Sequence, residues 1–218
     1  MNKKIIALIV AVIIIILVGL GIWITSNKDS SKVDNSSLNT SNNNVEDDTN
    51  NEEDNNSNDN VDNKRVAVIY FSATGTTKDV SEVISSETGA ELIEIVPKEK
   101  YSSKDLNWND KNSRTSVECN DSKSRPEIAN TINVDNYDVI FLGYPIWWGD
   151  VPHIILTFMD TYKLDGKTVI PFCTSGGTGI SESMNTLKNY NKNVKWIDGK
   201  RLSVTDSEIK NWVNSLNY

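Results

Sequence analysis

The sequence predicts an α/β protein whose parallel sheet is covered by helices on both faces, carried behind one N-terminal transmembrane helix. Three observations predict it. Residues 66–71, 137–143 and 168–173 are short, nearly continuous apolar runs, the pattern of central strands buried on two sides. Each run passes directly into a loop of Ser, Thr, Gly or Trp. Between the runs lie stretches with apolar residues at helical spacing.

The first strand (Val66, Ala67, Val68, Ile69, Tyr70, Phe71) runs into Ser72, Ala73, Thr74, Gly75, Thr76 and Thr77. Residues 78–88 then read as a helix, with Val80, Val83 and Ile84 on one side. This order makes an anion cradle. Gly75 permits a tight turn, the free N–H groups of a helix start point outward, and several hydroxyls can donate to phosphate oxygens. No Lys or Arg lies between Ser72 and Thr77, so binding would rest on neutral dipoles. That suits a phosphomonoester better than a nucleoside triphosphate. Ser and Thr are also ordinary helix caps and Gly an ordinary turn residue, so this loop alone leaves a plain βα turn open.

Residues 91–96 alternate as a second strand. A long polar stretch, residues 97–134, separates it from the third; we read it as a solvated excursion over the ligand site, with Tyr101 and Trp108 its aromatic residues. The third strand ends in Tyr144, Pro145, Ile146, Trp147, Trp148, Gly149 and Asp150. Two adjacent Trp cannot both point into one core. A flat aromatic ligand explains them, with Gly149 letting the backbone come close; one Trp in the core and one over a helix is the alternative. Residues 152–161 read as a helix. The fourth strand leads into Thr174, Ser175, Gly176, Gly177, Thr178 and Gly179, suited to close backbone approach to a polar ring edge or, alone, to a flexible turn. A helix over 180–190, a fifth strand over 194–197 and a closing helix over 207–216, capped by Asp206 or Ser207, complete the pattern. Three ligand-shaped loops at the C-terminal ends of strands point to one site, because open α/β sheets bind ligands along that edge.

With these loops in this order, residues 64–211 resemble the flavodoxin-like family, in a form with a Trp-rich second loop. The resemblance rests on Ser72-Ala-Thr74-Gly75-Thr76-Thr77, on Gly143-Tyr-Pro145-Ile-Trp147-Trp148-Gly149, and on Phe172-Cys173-Thr174-Ser175-Gly176-Gly177. It implies a flavodoxin-like three-layer sandwich with a five-stranded parallel sheet in order 2-1-3-4-5, and it implies FMN. Ser72, Thr74, Gly75, Thr76 and Thr77 would hold the phosphate. Pro145, Ile146, Trp147, Trp148 and Gly149 would line one side of the ring, and Thr174, Ser175, Gly176 and Gly177 the other. Flavodoxins often stack a Tyr on the ring from the third loop, whereas residues 174–179 carry no aromatic residue.

Residues 5–25 are free of charge, and as a helix they would span about 31 Å, the thickness of a bilayer core. The run is long for a signal peptide's apolar segment, no A-x-A site follows, and no Cys is present for lipidation. Residues 1–25 are therefore expected to be an uncleaved anchor rather than a cleaved signal. Lys3 and Lys4 place the N-terminus inside and the folded domain outside the cell membrane. Residues 26–63 form an Asn/Asp/Ser-rich linker with ten acidic and two basic residues and too little apolar content to fold, leaving residues 64–218 as the flavodoxin-like domain. Nearly all of the net charge of −8 resides in that linker, so the domain shows no nucleic-acid footprint. As a coil the linker would reach roughly 35 Å.

Cys119, Cys173 and the single His153 offer no zinc constellation. Cys173 reads as a small buried residue, His153 as a surface helix position, and a Cys119–Cys173 pairing stays open. The expected function is membrane-tethered electron transfer through FMN, with a redox partner protein or small electron acceptor. An FMN-dependent reductase of a quinone or similar acceptor, and a flavin-free scaffold, are the alternatives. Asp150, beside the ring loop, would lower the potential of an anionic reduced flavin.

Overall fold

The structure, a computed structural model, describes residues 64–218. The expected anchor (1–25) and acidic linker (26–63) lie outside the described residues. Among the described residues no helix is long and apolar enough to cross a membrane.

Strand β1 (Val66–Tyr70) lies between β2 (Glu91–Glu94) and β3 (Val139–Pro145), parallel to both. Strand β4 (Thr168–Thr174) pairs in parallel with β3 and with β5 (Lys195–Trp196), giving the expected order β2-β1-β3-β4-β5. A further strand, β6 (Lys200–Arg201), pairs in parallel with the far end of β4, so the sheet has six strands rather than five. Pro171 explains the difference. The carbonyls of Lys167, Val169 and Cys173 accept from the N–H groups of Lys195 (2.9 Å), Ile197 (3.0 Å) and Leu202 (2.8 Å). Pro171 belongs to that alternating, edge-facing series and has no N–H to give. The edge strand parts there, and Gly199 occupies the break: a Cβ on it would lie 2.3 Å from the Pro171 carbonyl oxygen.

Among the described residues there are five α-helices: α1 (Thr76–Thr88), α2 (Arg114–Asn120) within the segment joining β2 to β3, α3 (His153–Thr161), α4 (Ser181–Tyr190) and α5 (Asp206–Asn214). Alternation along each strand sorts the core into two layers. Ala67, Ile69, Ile140, Leu142 and Val169 pack with Ile154, Ile155 and Phe158 of α3 and Leu187 of α4. On the other face Val68, Phe141, Ile170 and Phe172 pack with Val80 and Ile84 of α1 and Ile209, Trp212 and Val213 of α5. Each fully buried Val, Leu, Ile or Phe side chain among these contributes about 1.5–3 kcal/mol. Gly143 makes room for one of them, since a Cβ there would sit 2.3 Å from the Phe172 ring.

The segment between β2 and β3 is largely solvated, as expected, and it is also folded into an ordered insert. Its ends zip together in antiparallel fashion: Lys98 N–H donates to Glu127 C=O (2.8 Å), Ala129 N–H to Val96 C=O (2.8 Å), and Pro97 bridges Ile128. The Asn130 side chain seals this neck, accepting from Val96 N–H (2.9 Å) and donating to Glu94 C=O (2.8 Å). Near the neck, Arg125 reaches Asp160 of α3 (2.7 Å) and the Tyr190 hydroxyl of α4 (2.9 Å). Polar side chains here replace an apolar core, which is why hydrophobic periodicity gives no sign of the insert's order.

Candidate functional site

Helix α1 starts at Thr76, two residues before its sequence pattern, because Gly75 takes a left-handed conformation (φ 96°) as the N-cap. The turn is closed by Gly75 N–H donating to Ser72 Oγ (3.1 Å), and the helix begins with Asp79 N–H donating to Gly75 C=O (2.9 Å). The N–H groups of Thr76, Thr77 and Lys78 precede that first bond and have no intrahelical acceptor. Among the described residues the hydroxyls of Thr74 and Thr76 likewise make no hydrogen bond, whereas Thr77 does. Its Oγ1 lies 2.8 Å from Thr174 Oγ1, a buried bond that locks the first loop to the third.

The second loop is a two-residue turn. Trp147 and Asp150 exchange N–H···O=C bonds of 3.0 Å in both directions, and Trp148 (φ 53°) and Gly149 (φ 86°) are both left-handed. Such paired positive angles define a type I′ turn. Trp148 is the one non-glycine residue with positive φ among the described residues, and it is 52% exposed. Holding it there costs on the order of 1–3 kcal/mol.

The two Trp residues divide their work. Trp147 packs edge-on against Phe71 (5.4 Å) and Tyr101 (4.9 Å) while still lining the site. Arg114 lies over the other partner ring, 4.0 Å from the Tyr101 centroid, and bonds Glu118 (2.6 Å), which accepts from the Tyr101 hydroxyl (2.7 Å). Burial, reinforced by Glu118, pushes the Tyr101 phenol far up, so it stays protonated. The Asp150 carboxylate is held by Val151 N–H (2.7 Å) and by Thr186 Oγ1 of α4 (2.6 Å), and does not line the cavity.

In the third loop, Ser175 Oγ donates to Thr178 C=O (2.5 Å) and accepts from Gly177 N–H (3.3 Å), shaping the loop from within. Gly176 and Gly177 stay open, with no atom within 4 Å of an added Cβ.

The three loops enclose one cavity of about 780 Å³. Thr74 and Thr77 line it from the first loop, Pro145, Ile146, Trp147, Trp148 and Gly149 from the second, and Ser175, Gly176 and Gly177 from the third. Thr76 and Thr174 lie in an adjoining groove with Arg201, and Ser72 and Gly75 form the turn beneath. Leu106, Trp108 and Thr115 of the insert also line the cavity. The sequence places this stretch over the site without singling out these three as lining residues; the signal available is a lone Trp within a polar stretch. Among the described residues no charged side chain lines the cavity, so it suits a flat, largely neutral group with an anionic end at α1.

The remaining titratable residues stand outside it. Cys119 and Cys173 are both free thiols. Burial first, then Glu118 and Asp150, raises Cys119 to about 12. Burial also raises Cys173 to about 12 against a small opposing effect of Arg201. His153 opens α3 with its Nδ1 buried and unpartnered, and burial with nearby Arg125 lowers its pKa.

The sequence profile of the flavodoxin family matches residues 65–216. The chain belongs to the flavodoxin family. This flavodoxin-family structure is similar to a protein of Bacteroides eggerthii assigned as a flavoprotein. The two share 45% identity over 70% of this chain and 97% of the other, with a TM-score of 0.67. A second such protein, from Bacteroides uniformis, shows 40% identity over 70% and 99% of the two chains, with a TM-score of 0.68. A Lactobacillus acidophilus flavoprotein in complex with FMN shows 28% identity over 68% and 98%, with a TM-score of 0.54. Among curated proteins nothing matches the chain.

Proposed function

We propose that this flavodoxin-family domain binds FMN at the C-terminal edge of its sheet and transfers electrons while tethered to the cell membrane. One observation carries the reading: three loops from separate strands converge on a single uncharged cavity beside the free N–H groups of α1. The Lactobacillus relative in complex with FMN supports the choice of cofactor. The Thr76, Thr77 and Lys78 N–H groups and the Ser72, Thr74 and Thr76 hydroxyls would hold the phosphate. Thr77 and Thr174 would brace the first loop against the third. Trp147, the Trp148–Gly149 turn and the Ser175–Gly177 backbone would orient the ring and exclude water from it. FMN, when bound, supplies one- and two-electron chemistry, and the chain supplies position and electrostatics.

The uncharged run at 5–25 supports the anchor, with residues 26–63 as a tether and the domain on the outer side. Protease treatment of intact cells tests that placement: removal of residues 64–218 from the cell surface is expected, and full protection would reverse it.

Flavin binding is tested by titrating FMN into the purified full-length chain and following its visible absorbance. A perturbed bound spectrum is expected, weakened about tenfold or more when Thr74→Ala and Thr76→Ala together remove two donors to a charged group. An unperturbed FMN spectrum would sink the reading. Reduction in two separate one-electron steps supports the carrier, whereas direct two-electron bleaching by a nicotinamide donor would make it a reductase.

A further inference from the structure

Ser113, Thr115 and Ser116 are buried, although they belong to a polar stretch of the chain. All three are used to hold main-chain carbonyls. Thr115 donates twice to Asp105 C=O, from its N–H (3.1 Å) and from Oγ1 (2.8 Å). Ser113 N–H (3.0 Å) and Ser116 Oγ (2.7 Å) both donate to Asp110 C=O. Between these two fixed points the chain makes a tight loop, closed by Asn107 N–H to Lys104 C=O (3.3 Å) and Asp110 N–H to Asn107 C=O (3.0 Å). The Asn107 side chain adds a bond from Asn109 N–H (3.1 Å).

What this pinned loop presents is Trp108. It is 72% exposed, the highest value among the exposed large hydrophobic residues of the described chain, and it lines the same cavity as the ring loops. Leu106, from the same loop, lines it too. An indole left in water on a rigid support contributes nothing to the core, but it is pre-organised to meet an aromatic ligand at little entropic cost. The third loop, meanwhile, supplies no aromatic side chain at all.

We propose that Trp108 stacks on the flavin ring, so that the insert between β2 and β3 supplies the aromatic face missing from the third loop. The inference rests on the FMN reading above. A stacking partner touches the ring and not the phosphate. Trp108→Ala therefore weakens FMN and riboflavin by the same factor, roughly 5- to 100-fold. It also brightens the bound flavin, because a stacked indole quenches flavin emission.

The test titrates both ligands into the full-length wild-type chain, Trp108→Ala and Trp108→Phe, reading affinity, bound-flavin fluorescence and thermal midpoint. Expected are an unchanged midpoint of the flavin-free chain for both variants, an unchanged FMN-to-riboflavin affinity ratio, and partial recovery of affinity by Phe. Wild-type affinity and quenching in Trp108→Ala would overturn the inference and leave the FMN reading standing. So would a loss confined to FMN. A lowered midpoint of the flavin-free chain with unchanged bound-flavin fluorescence would make Trp108 a structural residue. Failure of the wild-type chain to bind FMN would overturn both.

Discussion

Replacing Thr77 by Val removes one hydroxyl from a buried pair and keeps the branched side-chain shape. Thr77 is 1% and Thr174 5% exposed, and their oxygens lie 2.8 Å apart, so each single substitution strands the other hydroxyl away from bulk water. A stranded buried hydroxyl costs about 1–3 kcal/mol, whereas removing both partners together is close to neutral. Thr77→Val and Thr174→Val should each destabilise the flavin-free chain by that amount. The double variant should lose about 1 kcal/mol or less, a coupling of roughly 1–5 kcal/mol between the sites. Urea unfolding reads this directly: the single variants shift the midpoint down by about 0.5–1.5 M at unchanged slope, and the double variant recovers most of the shift. Additive single effects would refute the brace. A Thr77→Val variant with wild-type stability but weakened FMN binding would return Thr77 to the role of a phosphate donor.

Gly143→Ala pushes a methyl group to within 2.3 Å of the Phe172 ring, in a register where the two residues face each other on β3 and β4. A loss of about 1–3 kcal/mol in urea unfolding is expected, and neutrality would show that Phe172 moves aside freely. Alkaline pH should also destabilise the domain. Cys119, Cys173, Tyr70 and Tyr137 are each raised to about 12 by burial, above ordinary values of 9.0 for the thiols and 10.0 for the phenols. The folded state keeps these protons where the unfolded chain releases them, so stability is full below about pH 9 and falls as pH climbs toward 12. Urea midpoints measured between pH 7 and pH 10.5 check the sign, and a rising midpoint would contradict it. The same shifts leave both thiols neutral at pH 8, so a thiol reagent should label them only after denaturation.

What sequence reasoning caught and missed follows from which interactions are local. Val66 to Phe71 and its two counterparts declare themselves, because a strand buried on both faces must be apolar at every position. Ser72 to Thr77 is equally legible, since its chemistry is contained in six consecutive residues. The edge strand reads as one unit over 194–197, because nothing near it reveals that Pro171, more than twenty residues earlier, withholds a ladder bond. That Thr77 also braces the third loop does not show in the sequence, because its partner, Thr174, is distant in sequence and adjacent in space. Asp150 reads as a charge near the ring, and the sequence does not show that its oxygens are engaged by Val151 N–H and the Thr186 hydroxyl. The insert is the largest omission. Its order comes from hydroxyls and carbonyls at Ser113, Thr115, Ser116, Asp105 and Asp110, which leave no periodic trace.

The broken outer strand also bears on how copies of this domain behave when crowded. A sheet edge with an unbroken row of free N–H and C=O groups is a template on which a neighbouring chain can add a strand. Here the outer margin consists of two-residue pieces, Lys195–Trp196 and Lys200–Arg201, separated at Pro171 and Gly199 and carrying three basic side chains. An incoming strand would lose its register after one or two bonds and bring its own backbone against positive charge. The proline that splits the ladder therefore also caps it, keeping neighbouring domains from growing one sheet out of many.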